Sequence, residues 1–152
     1  MKNVQIFLLI YWFKLKHFRF ITLPTSLVYA QAYHETGGFK SPIFKENKNL
    51  FGMKVNSRKF DKGENRGHAV YYSLSDSIKD YFARQIQFKI SFDSPESYIK
   101  ETFDSNYAED GNYMVAWFNT YERFKWLSFL TYFLVPTIVV LYYYLQKKSF
   151  FF

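Results

Sequence analysis

The chain has 152 residues, no cysteine and a formal net charge of +7, which corresponds to one domain with a short appendage and excludes disulfides and thiolate metal sites. The positive excess lies at the two ends, because residues 21–120 carry twelve basic and twelve acidic side chains. A nucleic-acid-binding protein places its basic cluster on the folded body, so we expect no nucleic-acid partner, whereas basic residues beside apolar ends favour a membrane.

The N-terminal segment predicts a helix from Asn3 to Lys16. Val4 to Phe13 is apolar apart from Gln5, which favours a core helix that is buried on most faces. A helix lying in the plane of a membrane surface is the alternative. We expect neither a secretory signal nor a membrane span here, because basic residues interrupt the run and ten residues are too few to cross a bilayer.

A second helix is predicted between Pro24 and the pair Gly37-Gly38. Proline fits the first position of a helix, and glycine accepts the left-handed backbone that often ends one. Leu27, Gln31 and Glu35 follow one another at a spacing of four residues. They are therefore expected to share one face of this helix.

The middle of the chain predicts a small β-hairpin followed by helices. Residues 56–72 are rich in charge and glycine, and Asn65-Arg66-Gly67 is typical of a turn. Apolar spacing and proline positions predict helices over Leu74–Ile90, Pro95–Phe103 and Tyr113–Phe124. Ser75 or Asp76 is the expected cap of the first of these helices.

The C-terminal segment predicts a transmembrane helix from Trp126 to Leu145. This stretch is twenty residues long and uncharged, which is about the length that crosses a bilayer core. Aromatic residues lie near its ends, and basic residues flank it on both sides. A buried core helix is the alternative. We therefore expect a domain over residues 1–124 and a membrane anchor with a short basic and aromatic tail over residues 125–152.

Four motifs in order along the chain carry the functional signal. They are Ala30-Gln31-Ala32 with Glu35-Thr36-Gly37, Asn49-Leu50-Phe51-Gly52-Met53-Lys54, Tyr72-Ser73-Leu74-Ser75-Asp76-Ser77-Ile78-Lys79-Asp80-Tyr81, and Asn106-Tyr107-Ala108-Glu109-Asp110-Gly111-Asn112-Tyr113. Over roughly residues 3–124 the chain resembles the glucosaminidase family of peptidoglycan hydrolases, which includes phage and flagellar wall-cutting enzymes. It departs from the family pattern at His34, Thr36, Asn106 and Gly111, and none of these departures removes a group that the chemistry needs.

The resemblance implies a mainly α, lysozyme-like (α+β) domain with a small β-hairpin lobe, to which the C-terminal transmembrane helix is added. It also implies that Glu35 is the catalytic acid. Glycoside cleavage needs a carboxyl group that is still protonated near neutral pH. Burial against aromatic side chains and the negative end of a helix both raise a carboxyl pKa, and Glu35 ends a helix among aromatic residues.

Other site residues follow from the same resemblance. Glu64 in the hairpin is the expected second carboxylate, with Asp61 as the other candidate, and the alternative for Glu64 is an ordinary solvated charge. Tyr107 is expected near the acid, where it helps to hold the acetamido sugar, or else is a core or loop residue. Substrate contacts are expected from Gln31, Phe51 and Tyr113.

The three histidines, His17, His34 and His68, match no metal-ligand spacing. We therefore expect no metal and no other cofactor. Asn49 and Lys54 are expected to shape the loop under the cleft and not to react.

The predicted function is cleavage of the β-1,4 glycan backbone of peptidoglycan by an N-acetylglucosaminidase-type enzyme. The alternatives are a muramidase or lytic transglycosylase that cuts the other glycan bond, and a structural virion membrane protein that keeps a lysozyme-like fold. The expected partners are peptidoglycan glycan strands, a lipid membrane through residues 126–145, and virion proteins. The apparent lack of a secretory signal suits a phage product, in a virion internal membrane or in the host inner membrane with its catalytic domain facing the wall.

Overall fold

The computed structural model describes residues 2–56, 58–129, 131–133 and 136–137. These residues form a mainly helical domain with one two-stranded antiparallel sheet, which confirms that part of the predicted fold class. The helices are α1 (Lys2–Lys16), α2 (Thr25–Glu35), α3 (Pro42–Asn47), α4 (Leu74–Gln87), α5 (Pro95–Thr102) and α6 (Tyr113–Phe124). The strands are β1 (Asp61–Asn65) and β2 (His68–Tyr71), and single helical turns span Phe18–Phe20 and Phe103–Tyr107.

Helix α2 is the buried centre of the domain and packs against both α1 and α6. Every residue from Thr25 to Ala32 is buried. The indole N–H of Trp117 on α6 donates to the carbonyl of Leu27 at 3.0 Å, which fixes the two helices against each other. Pro24 is the residue before the helix and not its first residue as predicted, because its ψ of 128° is extended. At the other end Gly37 and Gly38 have positive φ, as predicted.

Helix α1 is less buried than predicted. Ile6, Phe7 and Ile10 are in the core, but several large apolar side chains on the same helix are exposed, including Trp12 at 57%. The expectation of burial on most faces is therefore wrong. The reason is the position of the helix at the outside of the domain, where its main contacts are with α2, α4 and the turn that follows it.

The β-hairpin forms where the sequence predicts it. Its two-residue turn, Arg66 and Gly67, has positive φ at both positions, as the favoured hairpin turns require. The lobe is tied to the end of α3, because the Asn47 side chain donates to the Asn65 carbonyl at 2.9 Å and accepts from the Asn65 amide at 2.8 Å.

Helix α4 ends at Gln87, three residues earlier than predicted, and it is capped differently. The Ser73 hydroxyl accepts from the backbone N–H of Asp76 at 3.2 Å. The prediction of Ser75 or Asp76 as the cap is wrong, because the extended backbone already turns into the helix after Ser73.

The predicted transmembrane helix over Trp126–Leu145 is not supported by the structure. Among the described residues, none of the helices combines the length and the apolar character needed to cross a bilayer. The other part of the predicted span, residues 130, 134–135 and 138–145, lies outside the described residues.

The first part of this segment instead lies against the domain. Residues 126–129 and 131–133 are helical. The hydroxyl of Ser128 lies 2.6 Å from that of Ser26 at the start of α2, and Thr131 is buried. The Thr131 carbonyl accepts from the hydroxyl of Tyr11 on α1 at 3.5 Å, so polar contacts with both α1 and α2 hold the start of this uncharged stretch against the domain.

Candidate active site

A cleft of about 730 Å³ lies at the C-terminal end of α2. Its walls come from the loop after α3, from the hairpin, from α4 and from the segment that leads into α6. Three of the four sequence motifs therefore supply residues to its wall. A second, smaller cavity of about 350 Å³ between α1 and α4 has a mainly apolar lining and no carboxyl group, so it offers no acid for glycoside chemistry.

Glu35 is the last residue of α2 and lines this cleft. Burial raises its pKa from 4.5 to about 7, and the hydrogen bond from Tyr113 opposes this rise. Burial dominates because removing a carboxylate from water disfavours its charged form. At neutral pH a large fraction of the Glu35 side chains is thus protonated, as proton donation to a leaving oxygen requires.

A short chain of hydrogen bonds holds Glu35 in place. The Tyr113 hydroxyl donates to Glu35 Oε1 at 2.6 Å and accepts from the Gln31 side-chain amide at 2.9 Å. Gln31 and Glu35 lie one helical turn apart on α2, so both reach the same phenol. Tyr113 lines the cleft, whereas Gln31 is fully buried behind it and does not belong to the cleft wall.

Gly52 allows the loop after α3 to approach the acid. Its φ is +62°, and a Cβ added at this position would lie 2.9 Å from Glu35 Oε2. A side chain here would therefore be strained and would press on the carboxyl group. The glycine leaves Oε2 uncovered on the side of the loop.

Asn49 and Ser77 hold this loop in shape. The Asn49 side chain accepts from the backbone N–H groups of Phe51 and Met53 and donates to the carbonyls of Met53 and Ala69. The hydroxyl of Ser77 on α4 accepts from the backbone N–H of Leu50 at 3.0 Å. Asn49 thus has the shaping role predicted for it, while Lys54 is exposed and lines the cleft.

Tyr107 and Phe51 meet on the wall beside the acid. The Tyr107 hydroxyl donates to the Phe51 carbonyl, and both residues line the cleft. The Phe51 ring is only 1% exposed and stacks on Tyr81 with ring centroids 4.1 Å apart. Phe51 therefore has only its backbone side to offer a substrate. Tyr107 lines the cleft, and its contact with the acetamido sugar stays a prediction.

The two residues predicted as candidates for a second carboxylate do not line the cleft. Glu64 is exposed on β1, opposite Ala69, and neither it nor Asp61 lines the cleft. Glu109 does line it, and among the described residues it is the only carboxyl group besides Glu35 that does so. It follows Ala108, whose backbone is extended. The sequence offers one signal for Glu109, which is its position two residues after Tyr107 in the fourth motif.

The histidines are divided between two places. His34 and His68 line the cleft, while His17 lies in the apolar cavity beside α1. Burial lowers the pKa of His34, so its ring is neutral at neutral pH. Within the part of the chain that the structure describes, no group of three His, Asp or Glu side chains could hold a metal ion.

Two arginines of the cleft were not singled out from the sequence. Arg58 donates to the buried carboxylate of Asp80 at 2.6 Å, and the Tyr71 hydroxyl donates to the same carboxylate at 2.6 Å. Asp80 thereby ties the start of the hairpin to α4. Among the described residues Arg84 has no such carboxylate partner. Both arginines depend on contacts between residues more than twenty positions apart, which the local sequence pattern does not contain.

The chain matches the model of a known protein family. The family model for Glucosaminidase, described as mannosyl-glycoprotein endo-beta-N-acetylglucosaminidase, matches residues 18–125. This range contains all four motifs and every element from the turn at Phe18–Phe20 to α6. No significantly similar curated protein and no significantly similar solved structure was found.

Proposed function

The chain belongs to the glucosaminidase family and is a glycoside hydrolase that acts on peptidoglycan, and we propose that it cleaves the β-1,4 bond that follows N-acetylglucosamine in the wall glycan. The family description supports this choice, since it names N-acetylglucosamine as the sugar at the bond that is cut. Glu35 is the proposed general acid, Tyr113 the group that orients it, and Tyr107 a contact for the acetamido sugar.

The observation that carries the proposal is the state of Glu35 in the cleft. Its carboxyl group is buried, its pKa is raised to about 7, and the Tyr113 hydroxyl fixes one of its two oxygens. The other oxygen lies against Gly52, which has no side chain to cover it. This arrangement holds a protonated oxygen at the wall of an open cleft, where it can donate to the oxygen of a glycosidic bond.

The proton from Glu35 makes the departing sugar hydroxyl a good leaving group, while positive charge develops on the sugar that stays behind. The anomeric carbon then bonds either to a water that a second carboxylate activates or to the acetamide oxygen of the substrate itself, and in the second case water afterwards opens the cyclic intermediate. A second carboxylate acts through water only if it faces Glu35 at a gap that admits that water. Glu64 is the candidate from the sequence and Glu109 the one that lines the cleft.

Mass spectrometry of reduced digestion products tests the proposed bond. Purified peptidoglycan digested with the chain should give fragments whose reducing end is N-acetylglucosamine. Reducing-end N-acetylmuramic acid would indicate a muramidase, and an anhydro end would indicate a lytic transglycosylase. Either outcome would overturn the proposed bond. A parallel digestion with Glu35→Gln should give neither product.

A role in a phage virion or in host lysis also remains our proposal. It is supported only by the resemblance to a group of wall-cutting enzymes that includes phage proteins. Detection of the chain in purified virions would test it, and its absence from both virions and lysing cells would refute it.

A further inference from the structure

Arg84 is a buried cation on the wall of the same cleft that contains Glu35. It belongs to α4 and is only 6% exposed. Its guanidinium lies between two aromatic rings of the cleft, 4.5 Å from the centroid of Phe88 and 4.7 Å from that of Tyr107. The side chain is thus held in a fixed position beside the residue proposed to contact the sugar.

Within the part of the chain that the structure describes, the hydrogen-bond partners of Arg84 are all neutral. One terminal nitrogen donates to the carbonyl and the hydroxyl of Ser105, both at 2.9 Å, and the other donates to the Gln85 side chain at 3.3 Å. A guanidinium has five N–H groups, so these bonds leave donors unused. Within the described residues Arg84 forms no ion pair, whereas Arg58 in the same cleft is paired with Asp80.

A buried charge without a counter-ion is unfavourable, because it has lost water and gained no opposite charge. The neighbouring charged groups do not neutralise the Arg84 guanidinium. Arg58 repels it, Lys54 adds a further cation to the cleft wall, and Glu35 is largely neutral below pH 7. Glu109 is exposed and makes no ion pair in the described part of the chain. The cleft therefore has a positive wall that an anionic group of a ligand would neutralise.

We propose that Arg84 binds a carboxylate of the muramic acid unit or of its stem peptide, so that the cleft selects carboxylate-bearing wall glycan over uncharged N-acetylglucosamine polymers. This inference rests on the proposed function. N-acetylglucosamine carries no carboxyl group. Muramic acid without a peptide carries one on its lactyl ether, and an attached stem peptide, which converts that group to an amide, carries others of its own. Arginine suits this task because its planar N–H groups match the two oxygens of a carboxylate.

Calorimetric titration of the Glu35→Gln chain tests the proposal without turnover. The ligands are a soluble wall tetrasaccharide in which one muramic acid carries a stem peptide and the other keeps its free lactyl carboxylate, and the same compound with its carboxylates converted to amides. Amidation should weaken binding to the chain that keeps Arg84 by about tenfold, since a charge-assisted hydrogen bond contributes about 1.5 kcal/mol or more. In the Glu35→Gln/Arg84→Gln chain, amidation should change the affinity little.

A matched control separates charge recognition from loop positioning. Ser105→Ala in the Glu35→Gln background removes the hydrogen bond from Arg84 to the Ser105 hydroxyl but keeps the guanidinium and its bond to the Ser105 carbonyl. It should therefore retain the tenfold sensitivity to amidation. Equal affinities for the two ligands with Arg84 present, or no binding of either ligand, would overturn the inference. Loss of the sensitivity in Ser105→Ala as well would also overturn it, because Arg84 would then act only through the loop.

A peptide-free glycan with free lactyl carboxylates identifies the source of the carboxylate. If its binding is also weakened by amidation, the lactyl group is the partner. If amidation weakens the binding of only the peptide-bearing ligand, the stem peptide is the partner. Failure of the proposed function is distinguishable from these outcomes, since it appears as a lack of glycan cleavage by the wild-type chain, whatever the titrations give.

Discussion

Replacing Glu35 with glutamine should make the protein more stable at high pH, and the gain should disappear at low pH. The reason is that the folded protein holds a carboxyl group whose charged form is disfavoured by burial. Ionisation of Glu35 therefore costs more in the folded chain than in the unfolded one. Glutamine is similar in shape and stays neutral at every pH, so it removes this cost.

The magnitude follows from the two pKa values. A rise from 4.5 to about 7 corresponds to about 3 kcal/mol at 1.36 kcal/mol per pKa unit. Below pH 4.5 Glu35 is protonated in both states, so the wild-type chain bears no penalty. Between pH 4.5 and 7 the unfolded chain releases the proton first and the wild type loses stability. Above pH 7 the full penalty is present.

Urea unfolding of both chains from pH 4 to pH 9, followed by tryptophan fluorescence, measures this difference. At pH 4 the difference in free energy of unfolding between the two chains reports only the change in packing and hydrogen bonding, so it serves as the reference. Relative to it, Glu35→Gln should gain about 3 kcal/mol by pH 9. A difference that stays constant across this range would refute the reasoning, because Glu35 would then have no raised pKa.

Three further predictions concern the acid's surroundings, the core and the second carboxylate. Gly52→Ala should lower turnover, and it should lower the free energy of unfolding in urea by more than about 1 kcal/mol. The reason is that the new Cβ meets Glu35 and that the residue has a positive φ. Unchanged turnover and stability would contradict this, because they would show that the loop relaxes freely. Lys14→Met should stabilise the protein at pH 7, by at most about 3 kcal/mol, since burial lowers the pKa of Lys14 from 10.5 to about 8. That gain should shrink as the pH rises from 8 to 10.5, and a gain independent of pH would contradict the buried-charge explanation. If a carboxylate activates water, Glu64→Gln or Glu109→Gln should lower kcat with little change in KM, and unchanged kcat in both variants would favour participation of the substrate's acetamide.

Local signals explain which parts of the fold the sequence predicts well. Proline, glycine and hydroxyl side chains act within a few residues, so they locate the end of α2, the hairpin turn and the start of α5 closely. The bounds of α6 are the same in sequence and structure. Glu35 is placed correctly for the same reason, since a helix end and a glycine pair define its position.

The incorrect predictions depend on what an element packs against. An apolar run such as α1 or the stretch after Lys125 has the same sequence pattern whether its neighbour is a protein core or lipid. The contact of Ser128 with Ser26, 102 residues apart, is not visible in any window of sequence. The same limit applies to Arg84, whose partner Ser105 is 21 residues away along the chain.

The most direct test of the central claim is the turnover of Glu35→Gln on purified peptidoglycan, measured as release of new reducing ends. Circular dichroism and urea unfolding at pH 4 should first establish that the variant is folded. The account predicts a loss of about 10²–10⁴-fold in rate, the contribution of general acid catalysis. A folded variant that keeps a tenth or more of wild-type activity, a loss of less than about 1.4 kcal/mol in transition-state stabilisation, would contradict the assignment of Glu35 as the catalytic acid.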